Sequence, residues 1–317
     1  MRDLTYGERC RTSLTRFVPA GESIPSGWRR RPRALHVCVL LSLPLSIGLS
    51  SQGPDTSTRA VVTAVAQYVS DYQRDLTSIL ADESYAQDVV SRMPSDPSAP
   101  RSRRMASEVF FMFMAGTRDW MAIRDVIAVD GVPVEDRPDI RQALDVLSPT
   151  EVAAALKRHN SRFNIGRILR NFSEPTLSLL VFDANHRERF SFERRRVRKE
   201  ENAVLVTLAF TERESPTLIA DPLRGRIFST GEVIVEAGTG RVRRAVLRAR
   251  SGEITVELTT DYTRDEKLDM WVPAVFRETY ERGTPPRRLE ADTEYEHVVC
   301  EARYRNFRRF QTSARIK

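Results

Sequence analysis

The residues of this chain that could carry chemistry are scattered along it. Its three cysteines, Cys10, Cys38 and Cys300, make no paired-cysteine motif, and its four histidines, His36, His159, His186 and His297, have no ligand spacing. The sequence contains no glycine-rich phosphate loop, no HExxH and no GxSxG elbow. Carboxylates do cluster in "LEADTEYEH", where Glu290, Asp292, Glu294 and Glu296 alternate with Leu289, Ala291 and Tyr295. That alternation predicts a solvated strand face rather than an acid/base pair. No metal, no cofactor and no enzymatic reaction is expected.

Two other groups of residues suit binding. The run "FERRRVRK" at 192–199 could grip phosphate or an acidic lipid, although such a run is ordinarily a solvated hairpin end. Five aromatic residues, Phe111, Phe113, Trp120, Trp271 and Phe276, either pack a core or line an apolar ligand cavity. In "NFRRF" at 306–310, a strand would send Arg308 and Arg309 to opposite faces. One of them then enters the interior and needs a partner, either a salt bridge or a ligand head group; Arg308 joins the five aromatics as a candidate.

Something must position these residues, and composition bounds what. The chain has 317 residues, 41% hydrophobic and 29% charged, and a net charge of +7. Of that charge, +5 falls within residues 1–50, so the rest is nearly neutral and no nucleic-acid partner is expected. The stretch from Trp28 to Pro54 has a basic start, an apolar run from Ala34 to Leu49 broken by Pro44, and small residues after it. That is the pattern of a secretory signal at about 28–50, with cleavage expected after Ser50. It predicts an exported, periplasmic or extracellular protein that is not integral to the membrane after cleavage. Only Cys300 then survives, and it reads as a half-buried strand residue. The unusual leader at 1–27 suggests that translation starts at a non-Met codon, for example Val18.

Apolar positions at Val62, Val65, Val69, Tyr72, Leu76 and Ile79 step by three and four, which predicts one amphipathic helix over 56–90. A Pro/Ser-rich linker follows at 93–104. "SEVFFMFMA" at 107–115 reads as a strand covered on both sides. Residues 119–136 read as a hairpin around Asp130–Gly131. Residues 138–184 read as helical, one helix capped by Ser148 or Thr150 with Pro149 in its first turn and another starting near Pro175. From Arg187 onward come strands at 187–194, 202–213, 226–236, 241–250, 253–262, 271–281, 288–299 and 303–312, too closely spaced to be parallel. In "ITVELTTDY", Ile254, Val256, Leu258 and Tyr262 share one face, so the sheet has a dry side and a wet side. The expected fold class is α+β: a large curved antiparallel sheet, an open half-barrel of about ten strands, with helices on its concave face and a long N-terminal amphipathic helix. The expected divisions are 1–50, 51–104 and 105–317, the last carrying the insert 138–184.

"GEVIVEAGTGRVRRAVLRA" (231–249), "LDMWVPAVFRETYE" (268–281) and "YRNFRRFQ" (304–311) resemble exported bacterial proteins without assigned activity. Their strand and turn order over about 105–312 also resembles the periplasmic lipoprotein carriers of the LolA/LolB/RseB type. That resemblance implies an open barrel plugged by helices, and a role in binding acyl chains or in periplasmic sensing. It has no signature residue, so it implies no particular binding residue. Two functions are expected to compete. One is a binding protein that holds a lipid or acyl ligand in the half-barrel. The other is an interaction module whose sheet is plugged by its own helices and whose helix 56–90 docks an envelope protein.

Overall fold

The computed structural model describes residues 53–77, 79–92, 101–114, 119–168, 170, 174–221, 225–283 and 295–309. The expected signal segment 28–50 and the expected leader 1–27 lie outside these. Helix α1 spans Thr58–Leu76 and is followed at once by strand β1, Ile79–Arg92. Then come β2 (Ser102–Met114), β3 (Asp119–Val129), the two-residue β4 (Val132–Pro133), α2 (Ile140–Val146) and α3 (Pro149–Asn160). A buried 3-10 segment at Leu177–Phe182 leads into β5 (Phe190–Lys199) and β6 (Val204–Glu212). The short pair β7 (Ile219–Asp221) and β8 (Gly225–Ile227) precedes a meander of β9 (Ser229–Glu236), β10 (Val242–Ser251), β11 (Ile254–Asp265), β12 (Met270–Arg282) and β13 (Tyr295–Arg309).

Eleven of these strands form one antiparallel sheet in the order β4-β3-β2-β1-β13-β12-β11-β10-β9-β6-β5, and β7 and β8 pair separately. The last strand lies beside the first, with Tyr85 opposite Ala302. The two ends, β4 and β5, do not meet, so the sheet is open rather than a closed barrel. Asp130 and Gly131 turn β3 into β4, both with positive φ, as the Asp-Gly pair predicts.

One face of the sheet is covered. Val61, Val65, Val69, Tyr72 and Leu76 of α1 and the whole of Leu179–Phe182 lie in the same buried cluster as the strand residues. Hydrogen bonds hold these covers in place. Gln73 Nε2 donates to Asp183 Oδ2 at 2.8 Å, joining α1 to the 3-10 segment. Thr260 Oγ1 and Tyr262 Oη on β11 donate to the Pro175 carbonyl at 2.6 and 3.1 Å. Gly240, in the β9–β10 turn with φ +69°, lets α1 come close: a Cβ there would sit 2.1 Å from the Ala64 carbonyl oxygen.

Several boundaries differ from expectation. Helix α1 ends at Leu76 and not at 90, because beyond Leu80, itself buried, the buried positions are 81, 83, 85, 87 and 89, a period of two. Glu83 and Gln87 occupy two of those inward positions, and as polar residues they hid the alternation. Ser102–Arg104, the end of the expected linker, already belong to β2. Ser148 caps α3 in a reciprocal box with Glu151, and Pro149 is its first residue. The expected helix near Pro175 is a 3-10 segment, apolar except for Ser178 and wholly buried from Ser178 to Phe182. Residues 187–189 are a short turn before β5, 226–236 divides into β8 and β9, and the strands expected at 288–299 and 303–312 form one, β13. The acidic row is corrected at Glu296. Its side chain is fully buried, and Oε1 accepts the N–H groups of Arg167 at 2.7 Å and Ile168 at 3.1 Å. The other acidic positions of that row lie outside the described residues.

Candidate ligand-binding site

Strand β3 is nearly an edge, because β4 pairs only with Ala128 and Val129. The open part must satisfy its backbone in other ways. Glu174 Oε2 accepts from Ala122 N at 2.6 Å, Asn160 Nδ2 donates to the Arg124 carbonyl at 2.7 Å, and Val134 N donates to the Ile127 carbonyl at 2.9 Å. Helix α3 covers one side of this edge by packing Val152 and Leu156 onto Ile123, with Phe110, Met112 and Met121 around them. On the other side of β3, Trp120 joins the main core and stacks obliquely on Tyr72 of α1, with ring centroids 5.7 Å apart.

A cleft of about 490 Å³ follows this edge. Its apolar wall includes Trp120, Met121, Leu156, Leu177, Leu180 and Leu218. Its polar lining includes Arg124, Lys157, Asn160, Arg170 and Glu174. The volume lies within the range of small-molecule sites, and an apolar wall with few polar groups is their usual composition. A recess of 630 Å³ near Val132 and Glu135 is shallower and walled by exposed and half-buried side chains.

The floor beneath the cleft is polar. Arg124 Nη2 donates to Glu83 Oε1 at 2.7 Å, its Nε bonds Glu83 Oε2, and its guanidinium stands 4.9 Å from the Tyr85 ring centre. Burial works against the Arg124 charge, but the Glu83 carboxylate outweighs it and keeps the guanidinium charged. Glu278 accepts from Tyr85 at 2.8 Å and from Tyr280 at 2.5 Å. Burial pushes its carboxyl upward, and those hydrogen bonds oppose the shift. Burial likewise raises Glu174 to about 7, against the pull of the Ala122 N–H. Cys300 is fully buried and its thiol is pushed up to about 12 by burial, the opposite of what a nucleophile needs. Among the described residues no three His, Cys, Asp or Glu side chains gather as a metal set.

The structure separates the candidate residues named from sequence. Trp120 lines the cleft. Phe111 is buried against Tyr304 and Phe307, with centroids 5.6 and 6.3 Å away, and Phe276 is buried in the same core. Phe113 sits on β2 opposite Trp120 in register. Trp271 does not line the cleft; it lies beneath the Arg243 guanidinium at 3.9 Å, beside a recess of 380 Å³. Arg308 lies on the outer side, where it pairs with Asp82 at 2.9 Å and with Glu108. The basic run is exposed from Glu193 to Lys199 on edge strand β5. Sequence reasoning missed Arg170, Glu174, Leu177 and Leu180. They fall in a segment that reads as helical, where nothing distinguishes a residue facing a cleft from one facing water.

No family model matches the chain, and no curated protein matches it. Among solved structures it is similar to a domain from Vibrio parahaemolyticus described as outer membrane lipoprotein-sorting. That likeness has TM-score 0.37 and 10% identity, and covers 80% of this chain and 95% of that one. It is similar to a DUF1329 family protein from Desulfovibrio piger, with TM-score 0.37 and 12% identity over 80% and 92% of the two chains. It is also similar to a LolA superfamily protein from Nitrosomonas europaea, with TM-score 0.30 and 12% identity over 78% and 94%. Among the described residues no helix is long and apolar enough to cross a membrane.

Proposed function

We propose that this is an exported envelope protein that binds a small amphipathic ligand in the cleft along β3. The observation that carries this reading is the cleft wall: Trp120, Met121, Leu177, Leu180 and Leu218 gather around about 490 Å³ with a few polar groups at one side. Each methylene of a ligand chain buried there contributes roughly 0.8 kcal/mol. Export is supported by the basic-then-apolar segment at 28–50. Binding rather than catalysis is supported by the state of the titratable groups. Glu83, Glu278 and Glu296 all accept structural hydrogen bonds, and the Cys300 thiol is buried.

A second reading, a protein-interaction module, draws on the centre of the covered face. Val65, Val69, Leu179 and Val181 fill it from the protein's own elements and have no exposure. An acyl chain would have to displace them to lie there. A partner docking on α1 would meet its exposed polar residues, such as Arg59, Thr63, Gln67 and Arg74.

Native mass spectrometry of the protein purified without detergent separates the two. The binding reading expects an added mass that solvent extraction removes, or quenching of Trp120 fluorescence by an added long-chain ligand. A bare polypeptide mass together with no response to such ligands overturns it in favour of the module.

A further inference from the structure

Resting on the cleft reading, we infer that the ligand carries an anionic oxygen head on its apolar chain, and that Arg170 receives that head. Arg170 lines the cleft and is only 5% exposed. Its Nη1 donates to the Ile165 carbonyl at 2.7 Å and its Nη2 to the side-chain oxygen of Gln87, while its Nε has no partner. Both acceptors are neutral dipoles. Among the described residues no carboxylate lies within ion-pairing distance of it. The other buried or half-buried arginines near this edge are built differently: Arg124 pairs with Glu83 and Arg103 with Asp130.

A buried guanidinium whose hydrogen-bond acceptors are neutral, and which reaches the buried Glu278 carboxyl only through space, keeps much of its desolvation cost. An anion entering the cleft offsets that cost, and a planar guanidinium suits carboxylate or phosphate oxygens. The nearby groups favour the same ligand. Lys157 and Asn160 lie on the cleft lining, and the Glu83 charge is already committed to Arg124. Glu174, the carboxylate that shares the cleft, is committed to the Ala122 N–H. The apolar wall takes the chain, so the ligand class is a long-chain carboxylate or a monoacyl phosphate.

Competition against a fluorescent long-chain fatty acid bound to the whole protein tests this, with four competitors: a fatty acid, the fatty alcohol of equal length, a monoacyl phosphate and inorganic phosphate. The expected result is that at least one of the two lipid anions binds about tenfold or more tighter than the alcohol. The fatty acid and the monoacyl phosphate show which head is preferred. Inorganic phosphate alone should displace nothing. Equal affinity of both anions and the alcohol overturns the inference and leaves the cleft reading standing. Failure of the probe and of every lipid to bind overturns the cleft reading itself. Displacement by inorganic phosphate as effective as by the lipids overturns the amphipathic class. Arg170→Met should erase the preference for the anion while alcohol affinity stays the same, and Arg170→Lys should keep part of it. A preference that survives in folded Arg170→Met overturns the assignment to Arg170. If that variant does not fold, the wild-type ratio of anion to alcohol decides.

Discussion

Across the middle of β6, β9 and β10 the covered face is dry: Val206, Leu208, Val233, Val235 and Leu247 have no measurable exposure, and buried Glu212 at the end of β6 accepts from Leu218 N and from the N–H and hydroxyl of Ser229. Across β12, β13 and β1 the same face holds Glu278, Glu296, Glu83 and Gln87, each no more than 3% exposed, and Arg124 reaches in from β3. Both regions lie on one sheet, on the same side. The dry region gains stability from area removed from water. The polar region forgoes some of that gain, and each of its groups must be individually satisfied. What the contrast teaches is where to look for function. A cluster of buried charged groups beside a cleft is the place where a test of binding is best aimed.

Four measurements break or sharpen this contrast, from the largest expected effect downward. Glu83→Ala leaves the Arg124 guanidinium buried without its carboxylate and should destabilise the fold by about 3–5 kcal/mol. Adding Arg124→Met should recover much of that loss in a double-mutant cycle read by urea unfolding. If Glu83→Ala costs less than about 1 kcal/mol, the polar region is not the coupled network described here. Leu208→Ala, in the dry region, should cost about 2–5 kcal/mol through cavity formation. It should leave ligand affinity in the cleft unchanged, and a matching loss of affinity would tie the two regions together.

The third measurement is pH dependence. Glu174 keeps its proton in the folded protein to about 7, whereas the unfolded chain releases it in the ordinary glutamate range. Between those values the folded state binds more protons, so this stabilising contribution is complete at low pH and is lost as pH rises through about 7. The loss is at most about 3 kcal/mol. Comparing urea midpoints at pH 5 and pH 8 for wild type and Glu174→Gln isolates it, because Gln removes the slope. Identical slopes in the two proteins would show that Glu174 does not titrate in this window. The smallest effect belongs to the outer surface. Arg248 and Glu257 pair at 2.6 Å with about half of each side chain exposed, and Arg248→Ala should change stability by less than about 1 kcal/mol.

How much was legible follows from what each element shows to water. The meander β9–β12 reads directly, because one wet face and one dry face make alternation visible in "ITVELTTDY". The Asp130–Gly131 turn and the Ser148 cap are equally local, since each depends on a few adjacent backbone groups. Strand β1 is misread because two of its inward positions are Glu83 and Gln87, whose partners Arg124 and Arg170 lie 41 and 83 residues away. Glu296 is misread for the same reason, with acceptor bonds to Arg167 and Ile168 across more than a hundred residues.

The amino-acid sequence by itself determined the antiparallel class and the amphipathic character of the segment that becomes α1. These depend on local periodicity and composition, which need no partner to be expressed. Only the tertiary structure decided that β13 closes against β1, that α1 and the 177–182 segment fill the centre, and that the cleft lies along β3 over Arg170. A buried charge is settled by partners far away in the chain, and no pattern within a single segment records them.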